Sequence, residues 1–478
     1  MSLRQEDGYP ESAPETWSCK RDAHEDADRC LFHLSPDERS EREIDDETVT
    51  RALRGAAEAS GASEKALIGA HLGTVDFRRE RLTAADNRVI GLRYATTERL
   101  AWGDATVEQP IDLRHATVDV VGWSEADFGG RVDLRNATVT GEASLDGAAF
   151  EADVAFADAA FEEGIAAEEV RFHADATWEG VAFRDDASFD GAEFRGDANL
   201  VDDDASFERA TFAGEASFRK ARFRYADFVD CAFDGDADFD EVTCTGDAEF
   251  ADATFRGRAS FRGATFEGDA DVLMDDADFE GATFEDDAAF EHATFGLGNF
   301  RDASFAAVDF EDATFTDDAL FDGATVDGAA TFTEARFRAD ADLSGASVGG
   351  SVVAPGAEFH GGDNTEDEDA SFAGVSVGNR LDLRDAAFRG GTFDDLRVEG
   401  TAQLDGIRFE RDASFAGAAF GDRVELDEAR FGGDTDFREA EFADRVSCRG
   451  AAFEGEDNVT DHDAAFDGAA FEAGGDFE

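Results

Sequence analysis

The apolar positions of this chain recur every five or six residues over most of its length. In FERATFAGEASFRKARFRYADFVDCAF, which runs from Phe207 to Phe233, phenylalanine recurs at this interval with a small residue usually two places before it. A helix would bring apolar residues back at three, four and seven positions, and a half-buried strand at every second one. The pattern fits neither and predicts a narrow wound coil, in which each unit forms one side.

The same register holds from Leu72 to Phe477, with steps of five or six residues and a few of seven. Each side would point two residues inward: the large central one and the small one two places before it, because the interior is too tight for two large side chains. Successive coils would stack at the strand spacing of about 4.8 Å. The sixth residue, where there is one, would widen a corner.

The repeated motif resembles that of the pentapeptide-repeat family, in which a central Leu or Phe follows Ala by two positions. Ala210-Thr-Phe212 and Ala226-Asp-Phe228 are examples. The resemblance covers Leu72 to Phe477 and implies an all-β solenoid, a right-handed four-sided parallel β-helix with one unit per side. Two features depart from the simplest members: five- and six-residue steps are mixed, and Phe replaces Leu at most centres.

Rare residue types within the repeat fall on inward positions of this register. We therefore predict that they fill the core rather than bind metal or stack on a ligand. They are Cys231 at a small position, and Cys244, Cys448, Trp102, Trp123 and Trp178 at centres.

Four longer modules interrupt the register, at residues 195–207, 267–279, 360–372 and 454–466. Each ends in an acidic turn, which we interpret as a solvated bulge, with Ca²⁺ binding as the alternative. We count each module as two sides of the coil. The number of sides between one module and the next is then one more than a multiple of four, so successive loops should lie one side further around the coil. The acidic residues are Asp202 to Asp204, Asp275, Asp276, Asp367 to Asp369, Asp461 and Asp463.

Residues 1–34 lack the repeat and contain Cys19, His24, Cys30 and His33 close together. Four nitrogen and sulfur donors suit a tetrahedral Zn²⁺, which can order a short segment that has no core of its own. The Cys-x-x-His spacing of the last two resembles short zinc-binding tags on other proteins. The alternative is a loose tail with two reduced cysteines, and no other cofactor is expected.

Residues 35–71 are predicted to form a helical cap on the first coil of residues 72–478. Ser35 suits the N-cap position and Pro36 the first helical position, and acidic residues follow them. Such a cap would protect the exposed edge of the first coil. The other end, FEAGGDFE, stops inside a repeat, so either acidic residues protect that edge or two chains pair there as a homodimer.

The chain carries 113 acidic and 43 basic residues, a formal net charge of −70, and only three lysines: Lys20, Lys65 and Lys220. Acid in such excess with so little lysine is typical of proteins adapted to high internal KCl, where salt screens the repulsion. The sequence has neither a signal pattern nor an apolar run of the roughly 18 residues that a membrane span needs. We expect a cytoplasmic protein that binds neither membrane nor, because like charges repel, nucleic acid directly.

We find no nucleophile elbow, phosphate-binding loop or dinucleotide-binding glycine pattern, so the sequence predicts a non-enzymatic protein. The first hypothesis is a rigid acidic scaffold for an unknown protein partner, which is also the general expectation for the resembled family. A second follows from the resemblance, since some members protect DNA gyrase by mimicking duplex DNA: a regulator of a topoisomerase such as gyrase. A third is a metal-linked adapter or sensor.

Overall fold

The computed structural model describes residues 19–25, 27–59, 66–83, 88–196, 204–268, 276–361, 369–455 and 464–476. Two compact units divide the chain. The first contains residues up to Asp227 together with Ala232–Gly235, and the second contains Phe228–Cys231 and residues from Asp236 onward. Both are parallel β-solenoids in which short strands stack coil upon coil.

Each coil has four sides, as the resemblance implies. One coil of the first unit runs through Asp127–Phe128, Val132–Asp133, Thr138–Val139 and Ala143–Ser144 before Ala149–Phe150 returns to the side of the first strand. We call these sides faces one to four in that order. Strands on the same face pair in parallel with the coils before and after, so Phe128 lies beside Phe150.

Within the first unit, each face is a ladder of short strands. Face one contains Arg81–Leu82, Thr106–Val107, Asp127–Phe128, Ala149–Phe150, Arg171–Phe172, Glu193–Phe194 and Arg222–Phe223. Face two contains Ile90–Gly91, Ile111–Asp112, Val132–Asp133, Val154–Ala155, Ala176–Thr177, Ala205–Ser206 and Ala226–Asp227. Faces three and four share the longer strands Thr96–Ala101 and Thr117–Gly122. Face three adds Thr138–Val139, Ala160–Phe161, Ala182–Phe183, Thr211–Phe212 and Ala232–Phe233, and face four adds Thr74–Asp76, Ala143–Ser144, Ile165–Ala166, Ala187–Ser188 and Ala216–Ser217.

The second unit repeats this arrangement. Face one contains Thr243–Cys244, Thr265–Phe266, Thr294–Phe295, Thr314–Phe315, Arg336–Phe337, Glu358–Phe359, Ala387–Phe388, Arg408–Phe409, Arg430–Phe431 and Ala452–Phe453. Face two contains Ala248–Glu249, Ala277–Asp278, Gly298–Asn299, Ala319–Leu320, Ala341–Asp342, Ala370–Ser371, Gly391–Thr392, Ala413–Ser414, Thr435–Asp436 and Ala464–Ala465. Faces three and four share Thr283–Ala289 and Ser304–Asp309. Face three adds Thr254–Phe255, Thr325–Val326, Ser347–Val348, Ser376–Val377, Arg397–Val398, Ala419–Phe420, Glu441–Phe442 and Ala470–Phe471, and face four adds Ala237–Asp238, Ala259–Ser260, Ala330–Thr331, Val352–Val353, Leu381–Asp382, Ala402–Gln403, Val424–Glu425, Val446–Ser447 and Gly475–Asp476.

Corners of two kinds alternate around the coil and explain the mixed step lengths. After faces two and four the chain makes a tight turn, as where the Ala137 amide donates to the Leu134 carbonyl and Asn136 has a φ of +59°. This is the geometry of a type II turn, and it fits a five-residue step. The other two corners are wider and take the six-residue steps, such as that from Phe150 to Phe156. The sixth residue therefore widens a corner, as predicted.

Stacked aromatic rings fill the coils, which confirms the predicted register. On face one of the first unit, the rings of Phe128, Phe150 and Phe172 stack with centroids 4.9 and 5.2 Å apart. On face one of the second unit, Phe337 and Phe359 stack at 4.6 Å. Except in the last described coils, the small residue two before a centre is generally buried with it, because both point into the same narrow interior.

The N-terminal part contains the 3₁₀ turn Leu31–His33 and two helices, α1 (Pro36–Glu41) and α2 (Asp46–Glu58). Ser35 caps α1 as predicted: its hydroxyl accepts from the Glu38 amide, and the Glu38 carboxylate accepts from the Ser35 amide in a complete capping box. The sequence suggested one continuous helix over this stretch. The helix is split because Asp45 caps a second one through the Thr48 amide.

The predicted positions of the four acidic loops are wrong. In the second unit, the modules at 267–279, 360–372 and 454–466 all join face one to face two, and the three strands that follow them belong to one ladder. The module at 195–207 also joins faces one and two, in the first unit. Each module spans one side of the coil with an insertion, and does not form two sides. Within the second unit, the three modules that should have moved around the coil therefore begin at the same corner.

Candidate metal centre and outer surface

Three of the four residues expected to bind metal lie together. The Sγ atoms of Cys19 and Cys30 are 3.5 Å apart, and Cys30 Sγ lies 3.0 Å from Nδ1 of His33. One donor atom from each residue falls within 4.8 Å of the other two. Cys30 and His33 are buried, at 6% and 3% exposure, while Cys19 is half-buried.

His24 is the fourth residue of the sequence prediction, and its side chain does not belong to this group. It lies in a turn where its amide donates to the Arg29 carbonyl and its carbonyl accepts from the Ala27 amide. The turn brings Cys19 and Cys30 together. The structure thus unites three of the four predicted residues.

Residues 66–71 begin the first coil, since Ala66 pairs with Gly91 and His71 with Thr96, and a backbone contact with this stretch orients the His33 ring. Nε2 of His33 lies 2.9 Å from the carbonyl oxygen of Ile68. A carbonyl only accepts, so Nε2 carries the hydrogen, and Nδ1 of the neutral ring presents its lone pair toward Cys30. Burial lowers the pKa of His33, which favours that neutral form. Burial, together with the contact with the Cys19 thiol, raises the pKa of Cys30 to about 11.

The cap completes the hydrogen bonds at the edge of the first coil. The Phe32 carbonyl accepts from the His71 amide at 2.7 Å. From α2, Asp46 accepts from the Thr74 amide at 2.9 Å, and the Thr50 hydroxyl donates to the Thr74 carbonyl at 3.3 Å. The two helices and the segment before them therefore cover this edge of the coil. Asp46 and Thr50, four residues apart on one helix face, were not recognised from the sequence, and the Ile68 carbonyl leaves no signal in a sequence.

The described carboxylates at the acidic modules point into the fold. Asp204 and Asp369, each just before a face-two strand, are only 1% and 5% exposed. A Cβ atom added to Gly361, which has a φ of +62°, would lie 2.2 Å from Oδ1 of Asp369. The same arrangement pairs Gly196 with Asp204 and Gly268 with Asp276, so these aspartates close the bases of the insertions.

Of the acidic-turn residues proposed for Ca²⁺, only Asp204, Asp276 and Asp369 are among the described residues, and the others lie outside them. Asp276 accepts from the Leu297 amide at 2.7 Å, and Arg389 lies 3.7 Å from Asp369. Burial raises the pKa of Asp369. These contacts assign the three described carboxylates to the packing of the corner.

The predicted core residues are buried. The three repeat cysteines are at most 8% exposed and the three repeat tryptophans at most 2%. Burial raises the pKa of Cys448 to about 11, which leaves its thiol protonated at neutral pH. The cysteines of the repeat therefore fill space, in contrast to Cys19 and Cys30. These residues are Cys231, Cys244, Cys448, Trp102, Trp123 and Trp178.

Acids and arginines alternate along the outside of face two in the first unit. Asp112 bonds to Arg114 at 2.8 Å, and Asp133 bonds to Arg135 at 2.6 Å. Arg114 also lies 3.6 Å from Asp133 of the next coil, which links the two pairs into a ladder. Elsewhere carboxylates bond to backbone amides of the following coil, as Asp412 does to the Asp434 amide at 2.8 Å.

A charged groove of about 860 Å³ lies between α2 and the first coils. Its arginines are paired with carboxylates: Arg51 with Glu47, Arg54 with Glu80, Arg78 with Asp76 and Arg79 with Asp104. The groove residues include no cysteine, histidine or serine. The groove is therefore a charged surface in which each of these arginines has a carboxylate partner.

Comparison with known proteins agrees with the coil geometry. The family of pentapeptide repeats, described as nine copies, matches residues 201–353 and 393–461 in overlapping segments. No curated protein matches the chain. Within the described residues, no helix is long and apolar enough to cross a membrane.

Among solved structures, the chain is similar to HetL, a pentapeptide-repeat protein involved in heterocyst differentiation regulation from the cyanobacterium Nostoc sp. strain PCC 7120. The similarity covers 70% of this chain and 88% of HetL, at 16% identity and a TM-score of 0.15. The family match and the four-sided coil, with its small residue two places before the buried centres, identify residues 201–353 and 393–461 as pentapeptide repeats.

Proposed function

We propose that this protein is a non-enzymatic acidic scaffold whose outer faces bind a protein partner in a KCl-rich cytoplasm. The observation that carries the proposal is the filled interior. Stacked rings occupy the coils. For example, the centroid of the Trp178 ring lies 3.8 Å from that of Phe156 and 5.8 Å from that of Phe207. Enzymes usually bind substrates in a concave, largely apolar pocket, and a coil packed in this way leaves binding to its outer surface.

The charge on that surface points to the chemistry of the partner. With a formal net charge of −70, the protein would attract a partner that presents arginines and lysines. Part of the acid is neutralised within the coil by ladders such as Asp112–Arg114–Asp133. The excess carboxylates remain for solvent, salt and the partner.

A capture experiment with four face variants tests this function. Each variant replaces the exposed Asp and Glu residues of one face with Asn and Gln, so the four carry matched changes on the same core. We expect a partner captured at high KCl to be lost with one variant and retained with the other three. Equal loss with all four would indicate unspecific charge attraction and contradict a scaffold with a defined binding face.

A gyrase supercoiling assay separates the scaffold from the DNA-mimic hypothesis. We expect the protein to leave supercoiling unchanged at high KCl, because its acids are distributed over the outer faces and many are paired with arginine or backbone amides. Inhibition at stoichiometric protein, reversed by excess duplex DNA, would overturn the proposal in favour of the mimic.

The salt adaptation has its own test. The midpoint of thermal unfolding should rise as KCl is increased from low to molar concentration, because screening reduces repulsion between the carboxylates. Sucrose at equal osmolality is the control for a general solute effect. A midpoint that does not depend on KCl would show that the acidity serves another purpose.

A further inference from the structure

We propose that Cys19, Cys30 and His33 form a structural Zn²⁺ site that fastens the N-terminal segment to the first coil. This inference does not depend on the scaffold function. The carrying observation is the convergence of two thiols and one imidazole nitrogen, with all three donor atoms within 4.8 Å of one another.

The donor separations suit a tetrahedral ion. Zinc lies about 2.3 Å from a thiolate sulfur and about 2.0 Å from an imidazole nitrogen. At tetrahedral angles this places two sulfurs about 3.8 Å apart, and a sulfur and a nitrogen about 3.5 Å apart. The structure has 3.5 Å between the two sulfurs and 3.0 Å between Cys30 Sγ and His33 Nδ1. Movements of a few tenths of an ångström would admit the ion.

The surroundings of His33 match those of a zinc-binding histidine. Such histidines usually donate the second ring N–H to a carbonyl or carboxylate, which fixes the tautomer and aims the other nitrogen at the metal. Nε2 of His33 donates to the Ile68 carbonyl, and Nδ1 faces the sulfur of Cys30. The ring nitrogen that carries no hydrogen therefore faces the Cys30 sulfur, as it would in a zinc-binding histidine.

The donor set selects the metal. Thiolate and imidazole favour zinc over the hard cations that prefer oxygen, such as Mg²⁺ and Ca²⁺. The many carboxylates of this chain offer those hard cations other contacts. Zinc has no redox chemistry of its own, which suits a role in holding the segment in place.

The position of the site gives the metal a role in the fold. Phe32, between Cys30 and His33, is buried and accepts from the His71 amide of the first coil. His33 itself contacts Ile68 of the same coil. The segment has few apolar residues of its own, and a metal that joins Cys19 to Cys30 and His33 would hold it against the edge of the coil.

Half-burial of Cys19 leaves room for solvent to supply the fourth ligand. The side chain of His24 lies outside the group of donors. His24→Ala should therefore retain zinc and is the matched control, because it removes another metal-competent histidine from the same segment.

The test measures zinc in the full chain, purified in reductant and washed with high KCl to displace ions from surface carboxylates. We expect one zinc per chain in the parent and in His24→Ala, and a loss of at least tenfold in Cys19→Ser and in Cys30→Ser. Cys19→Ser changes a half-buried side chain, so it keeps the test valid if Cys30→Ser fails to fold.

Cobalt gives a second reading on the folded parent. Co²⁺ added to metal-depleted protein should give thiolate charge-transfer and tetrahedral d–d absorption bands, which carboxylates cannot produce, and zinc should remove both. Several outcomes would overturn the proposal: no bound zinc with both thiols reduced, a Cys19–Cys30 disulfide in place of metal, retention of zinc in Cys19→Ser, or loss of zinc in His24→Ala.

Discussion

Nε2 of His33 donates a hydrogen bond to the carbonyl oxygen of Ile68 at 2.9 Å. This contact joins the N-terminal segment to the first coil of the solenoid and fixes which ring nitrogen faces Cys30. It lies at an edge that would otherwise present unpaired backbone groups, a known route to aggregation. The same side chain thereby takes part in two features of the molecule, the candidate metal centre and the covered end of the coil.

The pairing of Gly361 with Asp369 leads to a prediction about the insertions. Gly361→Ala should destabilise the protein by about 3 kcal/mol, because the new Cβ would meet the aspartate and a left-handed φ would be strained. Gly345→Ala is the matched control, since Gly345 has a φ of +69° but nothing within 4 Å of its Cβ position.

Gly345→Ala should lower the free energy of unfolding by only about 1 kcal/mol, because it strains the left-handed conformation without a steric clash. Urea unfolding of both variants measures the difference. Equal losses of stability would show that the aspartate contact does not close the base of the insertion.

Trp178 leads to a prediction about the core. Its Nε1 is buried and has no hydrogen-bond partner among the described residues. Trp178→Phe should change the free energy of unfolding by less than about 1.5 kcal/mol, because removal of the unpaired N–H offsets the loss of ring volume. Trp178→Ala, which leaves a cavity between Phe156 and Phe207, should cost about 3–5 kcal/mol. A similar large loss in both variants, measured by urea unfolding, would contradict this explanation.

The pair formed by Asp133 and Arg135 predicts a pH dependence. Burial alone would raise the pKa of Asp133, but the bonds to Arg135 outweigh it and hold that pKa below its ordinary value. A carboxyl with a lowered pKa stabilises the fold at neutral pH, and that stability is lost as the pH falls through the folded-state pKa.

Asp133→Asn should therefore lower the stability by about 1–3 kcal/mol at neutral pH, and the difference should shrink below about pH 4. Unfolding at a series of pH values, with the exposed Asp127→Asn as control, measures it. A difference that stayed constant across that range would exclude the ionised pair as its source.

The last described coil carries the prediction of a homodimer. Phe466 is 39% exposed, and its ring centroid lies 5.0 Å from that of Phe437, on which it stacks. Among the described residues, the strands beside it pair with the preceding coil and with no other. If two chains pair at this end, light scattering should give the mass of a dimer, and Phe466→Asp should give that of a monomer. Val89→Asp, at a residue 48% exposed, is the control. A monomeric parent over the whole accessible concentration range would refute the homodimer.

Local spacing in the sequence was enough to predict the coil, because every side repeats the same requirement for one large and one small inward residue. The six-residue steps also indicated that some corners are wider than others. The prediction of where the acidic loops lie was wrong for a physical reason. Leu200 lies at the right spacing to be counted as a centre, yet Ala205–Ser206 follows Glu193–Phe194 directly on the next face. An insertion that preserves the apolar spacing cannot be distinguished from a side of the coil by periodicity.

The candidate site was predictable in composition but not in detail. Cysteine and histidine are rare in this chain, so Cys19, Cys30 and His33 stood out. The exclusion of His24 follows from a turn, and the orientation of His33 follows from a backbone carbonyl 35 residues away. Neither depends on a side-chain pattern, so neither could be predicted from the sequence.

The most direct test of the metal-fastened cap compares amide hydrogen exchange at two positions, in zinc-loaded and in metal-depleted protein. The His71 amide donates to Phe32 in the candidate metal-binding segment, and the Thr74 amide donates to Asp46 on α2. We predict that zinc slows exchange at His71 at least tenfold and leaves Thr74 unchanged. Equal exchange at His71 with and without zinc would contradict the account.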